Sequence, residues 1–137
     1  NINGGRMNTL IIPEEFERQI THFICNYNHL SYLPENITRC TELVEIQCIH
    51  NHLDELPENL NELTKLVSLY VYGNELVNLP NLPLSIEGVY CAWNKIELLP
   101  ELQSLVNLKF LYFNTLSLLL YIEYFISSLV FFSASGL

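Results

Sequence analysis

The chain has 137 residues, enough for one domain with one core, and half of them are apolar, which excludes a disordered polymer. Six Lys and Arg stand against fifteen Asp and Glu, for a formal charge of −9. That balance argues against nucleic acid and against adsorption to an anionic membrane surface, and it favours a basic partner electrostatically.

Residues 1–19 read as an N-terminal flank with no secretory pattern. Asn1 stands first and Met7 is the sole methionine. Three readings follow: a processed terminus, a piece of a longer chain, or a start at Met7 with non-native residues before it. In each, Asn1 to Arg6 are expected to carry no fold information.

From Ile20 a repeat takes over. Asn-x-Leu (or Ile) followed by x-x-Leu-Pro recurs as NHLSYLP at 28–34, NHLDELP at 51–57, NELVNLP at 74–80 and NKIELLP at 94–100. In that frame the units begin at Ile20, Leu43, Leu66 and Ile86, with lengths of 23, 23, 20 and 22, and a fifth begins at Leu108 and fails. Each unit opens L-x-x-L-x-L-x-x-N-x-L, with other apolar residues allowed. The last two Leu of L-x-x-L-x-L alternate as a strand requires, so both face one side. Later apolar positions, such as Leu53, Leu56, Leu60 and Leu63, are spaced three and four apart, as a helical turn would space them. One unit thus supplies a short strand and a return segment, neither of which buries its apolar side alone, so stacking is obligatory. In the column Asn28, Asn51, Asn74 and Asn94 a side-chain amide can satisfy backbone groups where the chain leaves the strand. Pro34, Pro57, Pro80 and Pro100 sit past that turn, where a missing donor does little harm.

This frame resembles the leucine-rich-repeat family over residues 20–113, specifically the intracellular kind with Leu-Pro after the strand. The 23-residue units are similar to those of Ras-suppressor-type signalling scaffolds. The shortened unit, with LPNLPLSIEGV at 79–89, is similar to the twenty-residue repeats of secreted bacterial effectors. The resemblance implies an α/β repeat fold: a curved solenoid over residues 20–114, with about five short parallel strands on the concave face and irregular or short helical convex segments. It also implies that Asn28, Asn51, Asn74 and Asn94 form a buried structural ladder, which ends there because Leu116 fills the next slot. The implied function is recognition of a protein or peptide on the concave face, with no cofactor. Ligase-type effectors of this repeat style carry a separate catalytic domain, and nothing in this chain can be one.

Cys25, Cys48 and Cys91 share one inward strand slot with Val71 and Phe113, so the slot wants a compact apolar group and free thiols are expected there. Cys25 and Cys48 would lie about 5 Å apart on neighbouring strands, which permits a disulfide, but no disulfide framework is visible. Buried free thiols point to a reducing, cytoplasmic compartment. No C-x-x-C pair suggests zinc. The row His29, His52, Glu75 has metal-ligand chemistry, yet its ends would be about 10 Å apart, awkward for one ion; no metal is expected. No Ser-His-Asp order, Gly-rich phosphate loop or carboxylate pair stands out, so no enzyme is expected.

The outward strand positions read Ile24, Gln47, Tyr70, Tyr90 and Tyr112 in one column, and Asn26, Ile49, Tyr72, Ala92 and Asn114 in the next. Tyr27, His50 and Trp93 stand beside them and Phe110 one step before Tyr112. Exposed Tyr and Trp dominate binding hot spots, so Tyr70, Tyr72, Tyr90, Trp93, Phe110 and Tyr112 are the candidate partner-binding residues, expected as one patch. The competing reading is that Tyr merely suits a half-exposed strand. Most acids fall in turns and return segments, among them Asp54, Glu55, Glu58, Glu62, Glu97 and Glu101.

Residues 115–137 change character, with Glu123 as their sole charge. Three readings stand: a membrane anchor, since length and apolarity meet the rough criterion of about 18 apolar residues; a cap docked on the last repeat through a stripe of Ser117, Tyr121, Tyr124 and Ser128; or sequence that is not natural coding. Localisation follows them: cytoplasmic, tail-anchored, or secreted to act in a host cytoplasm. The rival to partner recognition is a structural fragment of a longer leucine-rich-repeat protein that touches no partner itself, or the substrate-recognition part of an effector.

Overall fold

The computed structural model describes residues 1–113 and the backbone of 131–134. Parallel strands stack in chain order in one sheet: β1 (His22–Ile24), β2 (Glu45–Gln47), β3 (Ser68–Tyr70), β4 (Gly88–Tyr90), β5 (Phe110–Phe113) and β6 (Phe131–Ala134). The first five are the strands the repeat calls for. The expected solenoid is therefore present, with each strand paired to the next in chain order. The return segments carry short 3₁₀ turns at Glu14–Phe16, Glu35–Arg39 and Leu60–Glu62. Pro13 and Pro34 stand immediately before two of these turns, and their carbonyls accept the first turn hydrogen bonds, from Phe16 and Ile37. Their fixed φ preorganises the start, and the missing N–H faces no ladder.

Register follows the repeat lengths. Phe23 pairs with Ile46, Ile46 with Leu69, Leu69 with Val89 and Val89 with Leu111. All five are buried, as are Cys25, Cys48, Val71, Cys91 and Phe113 two residues on. Period-two alternation puts both sets on the inner face of the sheet. Leu30, Leu53, Leu76 and Ile96 continue the core past the turn, and Ile37, Leu60, Leu82 and Leu102 close it from the convex side. Each fully buried aliphatic side chain contributes about 1.5–3 kcal/mol relative to exposure. At each strand entry one carbonyl takes two donors from the next coil: Thr21 from Val44 and Glu45, Val44 from Val67 and Ser68, Val67 from Glu87 and Gly88, Glu87 from Lys109 and Phe110.

The N-terminal residues behave differently from expectation. Ile2 and Gly4 donate their N–H groups to the carbonyls of Ile24 and Asn26, as Cys25 and Tyr27 do to Gln47 and Ile49 in the next coil. The Met7 N–H reaches Asn28 Oδ1, as the Leu30 N–H reaches Asn51 Oδ1. Residues 2–7 thus follow the hydrogen-bond scheme of a coil, and Ile12 joins the core. The sequence hid this because Gly5 occupies the slot of the ladder Asn.

The three readings of residues 115–137 concern a segment that lies outside the described residues, apart from the backbone of Phe131–Ala134, which pairs in parallel with β5. Leu116 and Asn114 lie outside them too. Among the described residues no helix is long and apolar enough to cross a membrane.

Candidate functional site: the concave face and its edge

The site begins with a backbone feature. Tyr27, His50, Gly73 and Trp93 precede the four ladder asparagines, and all have positive φ, between 51° and 69°. Left-handed backbone there turns the chain from the strand into the core. It buries Asn28, Asn51 and Asn74, leaves Asn94 only half-buried against the expectation of a fully buried ladder, and leaves its own side chain outside: Tyr27 is 58 % and Trp93 68 % exposed. Only glycine adopts this conformation without strain, so Gly73 was the sequence signal for the column, and the aromatic residues around it concealed the rule.

The ladder holds that turn. Asn51 Oδ1 accepts from the Leu30 N–H at 3.1 Å, Asn74 Oδ1 from Leu53 at 3.0 Å and Asn94 Oδ1 from Leu76 at 3.0 Å. Each amide nitrogen reaches back as well: Asn51 to the Cys25 carbonyl at 3.0 Å, Asn74 to Cys48 at 2.8 Å, Asn94 to Val71 at 2.9 Å. Asn28 donates to the Ile2 and Cys25 carbonyls. Every rung therefore ties two coils together. Asn26 adds a contact that the outward column did not anticipate. It is buried, accepts from the Ile49 N–H at 2.8 Å and donates to Gln47 Oε1 at 3.0 Å.

On the open face the tyrosines stack. Ring centroids of Tyr70 and Tyr90 are 4.4 Å apart with planes at 7°, and those of Tyr90 and Tyr112 are 4.9 Å apart at 17°. Parallel in-register strands force this spacing, since Tyr70 pairs with Tyr90 and Tyr90 with Tyr112. Gly88 makes room for it: a Cβ there would lie 3.0 Å from Tyr90 Cε2. Burial first, then the flanking phenols Tyr70 and Tyr112, raise the Tyr90 hydroxyl above the ordinary tyrosine value.

The structure divides the expected patch into two rows. Tyr72 does not join the tyrosine stack; its ring meets His50 edge-on at 5.4 Å, and His50 stacks on Tyr27 at 5.2 Å. Tyr27 and His50, which stand beside the candidate residues in the sequence, form this second row with Tyr72. Phe110 is 38 % exposed at the start of β5, in register with Gly88. Trp93 stands at the edge in the left-handed position.

The histidine row is a hydrogen-bonded chain along the same edge. His29 Nδ1 and His52 Nε2 are 3.4 Å apart with the rings stacked, His52 Nδ1 is 3.3 Å from Glu75 Oε1, and Lys95 Nζ donates to Glu75 Oε2 at 3.0 Å. Lys95, more than His52, holds the Glu75 carboxyl below the usual carboxylate range. Among the described residues no three His, Cys, Asp or Glu converge so as to hold a metal ion.

The four cysteines are free and buried. Cys25 Sγ lies 3.0 Å from Cys48 Sγ. Burial pushes Cys48 well up and Cys91 up to about 12, and burial with the nearby Glu17 charge takes Cys40 to about 11. Cys40, Cys48 and Cys91 are thus not thiolate nucleophiles at neutral pH.

No family model matches the chain, and no curated protein sequence does. Among solved structures it is similar to YopM, a leucine-rich effector protein from Yersinia pestis, at 37 % identity and a TM-score of 0.56 over 67 % of this chain and 26 % of that one. It is also similar to a Shigella effector LRR domain, at 35 % identity and a TM-score of 0.66 over 82 % of this chain and 47 % of that one. The chain thus spans less than half the length of either.

Proposed function

The chain is a leucine-rich-repeat solenoid resembling those of bacterial effectors, and from that premise we propose that it is a protein-interaction module that binds a protein or peptide on its concave face. The observation that carries this reading is the continuous stack of Tyr70, Tyr90 and Tyr112, with Trp93 exposed at the edge. Stacked rings present a rigid apolar surface that loses little side-chain entropy on binding, and Tyr and Trp are the usual anchors of interfaces. On this reading the module acts by recognition, with the Cys40, Cys48 and Cys91 thiols buried and held above the ordinary cysteine value. In the setting of the similar effectors, the partner is a protein of the host cytoplasm.

The test is a pull-down with the intact chain, followed by affinity measurements on the captured partner with Tyr90→Ala, Trp93→Ala and Glu62→Ala. Truncating a central anchor should cost on the order of 2 kcal/mol in binding. Glu62, exposed on a convex 3₁₀ turn, should be silent. Loss of binding in Glu62→Ala with both aromatic variants unchanged would place the partner on the convex side and refute this reading.

A further inference from the structure

Charge is distributed unevenly over the two flanks of the solenoid. At strand entry, ion pairs step from coil to coil: Arg39 to Glu17, Lys65 to Glu42, Lys109 to Glu87. At strand exit the last cation is Lys95, already paired with Glu75. Beyond it, the segments 53–58, 76–81 and 96–101 hold Asp54, Glu55, Glu58, Glu97 and Glu101 and no Lys or Arg. All five acids are exposed, and none has an ion-pair partner among the described residues.

The same flank opens into a groove of about 770 Å³ across three coils. Asp54, Glu55 and Glu58 form one wall, and Val77, Pro80 and Leu98 belong to the rest of the lining. Val77 is 54 % and Leu98 74 % exposed, so the groove holds apolar surface left in water. Within the lining Asn78 forms a parallel bridge with Leu98, and among the described residues no bridge joins Glu55 to Asn78.

We propose that this groove docks an extended peptide whose side chains alternate between apolar and basic. In an extended chain, neighbouring side chains point to opposite sides and alternate ones recur about every 6.5–7 Å. Apolar side chains cover Val77 and Leu98, and the intervening Arg or Lys reach the carboxylate wall. The occupant is basic because the wall is anionic without compensation; an acidic segment would meet repulsion there. The surface is separate from the tyrosine stack, and the proposal stands independently of the concave-face reading.

The experiment uses the full chain and three labelled heptapeptides of alternating composition, Arg–Leu, Arg–Ser and Glu–Leu, in fluorescence anisotropy titrations. The Arg–Leu peptide should bind, more weakly as salt rises, and the Arg–Ser and Glu–Leu peptides at least about tenfold more weakly or not at all. D54N/E55Q/E58Q and V77S/L98S should each reduce Arg–Leu affinity by about tenfold or more, while circular dichroism stays unchanged because every altered side chain is exposed. E14Q/E15Q/E62Q, the same change in net charge elsewhere, and Tyr90→Ala should leave it intact. Equal binding of Arg–Ser and Arg–Leu would reduce the effect to general attraction by an acidic protein and overturn the proposal. So would absence of Arg–Leu binding, equal loss in the remote charge variant, or loss confined to Tyr90→Ala.

Discussion

Replacing ladder asparagines by leucine, of similar size and branching, removes hydrogen bonds while keeping bulk, and the structure ranks the outcomes. Asn51→Leu orphans one buried group, the Leu30 N–H. The Cys25 carbonyl keeps the Asn28 amide, and the Ile49 carbonyl keeps the Tyr27 N–H at 2.8 Å. Asn74→Leu orphans two: the Leu53 N–H, and the Cys48 carbonyl, which Asn74 alone serves among the described contacts. The Val71 carbonyl keeps Asn94 and the Tyr72 carbonyl keeps the His50 N–H. At about 1–3 kcal/mol for each buried group left unsatisfied, Asn51→Leu should cost about 1–3 kcal/mol and Asn74→Leu about 2–6 kcal/mol. Urea unfolding followed by circular dichroism measures both, with the slope checked for constancy so that midpoints convert to stability. The predicted signature is the order, Asn74 worse than Asn51 by at least about 1 kcal/mol. Equal midpoints, or the reverse order, would refute the accounting by orphaned groups. A midpoint unchanged in both would refute the ladder itself.

The buried thiols Cys25, Cys48 and Cys91 should alkylate slowly in native buffer and at the rate of a free thiol after denaturation; rapid native labelling of all three would contradict their place in the core. Gly73→Ala should destabilise by at least about 1 kcal/mol through left-handed strain, and more through contact, since the new Cβ would lie 2.5 Å from His50 Nδ1. Gly73→Ala in a His50→Ala background should recover the contact part and not the backbone part, as read from denaturation midpoints. At Glu75 the folded carboxyl titrates below its unfolded value, so the pairing with Lys95 is present above the unfolded pKa and lost as pH falls through the folded one. Lys95→Met should move the Glu75 titration upward in a carboxyl-carbon NMR experiment, and an unmoved titration would show that the ion pair does not form in solution.

What the sequence by itself determined is the axis of the molecule. Leu and its substitutes at fixed offsets, with Asn and Pro in step, define which residues pair across coils, because each coil touches only its neighbours and the period sets the register. The repeat alone places Phe23, Ile46, Leu69, Val89 and Leu111 in one inward column and Asn28, Asn51, Asn74 and Asn94 in one ladder. The tertiary structure decided what lies across that axis. The left-handed column at Tyr27, His50, Gly73 and Trp93 is written in backbone angles, and three non-glycine residues masked it. The departure of Tyr72 from the tyrosine stack depends on ring orientation, which spacing does not specify: residues two apart on a strand share a face but lie far enough apart to find different neighbours. Asn26 was read as outward because alternation puts it there, yet it bonds to Ile49 and Gln47 of the next coil and is buried. The division of acids into paired and unpaired flanks needed side chains to be seen reaching from one coil to the next, since Glu42 and Glu55 look alike in a sequence and differ only in whether a lysine stands opposite.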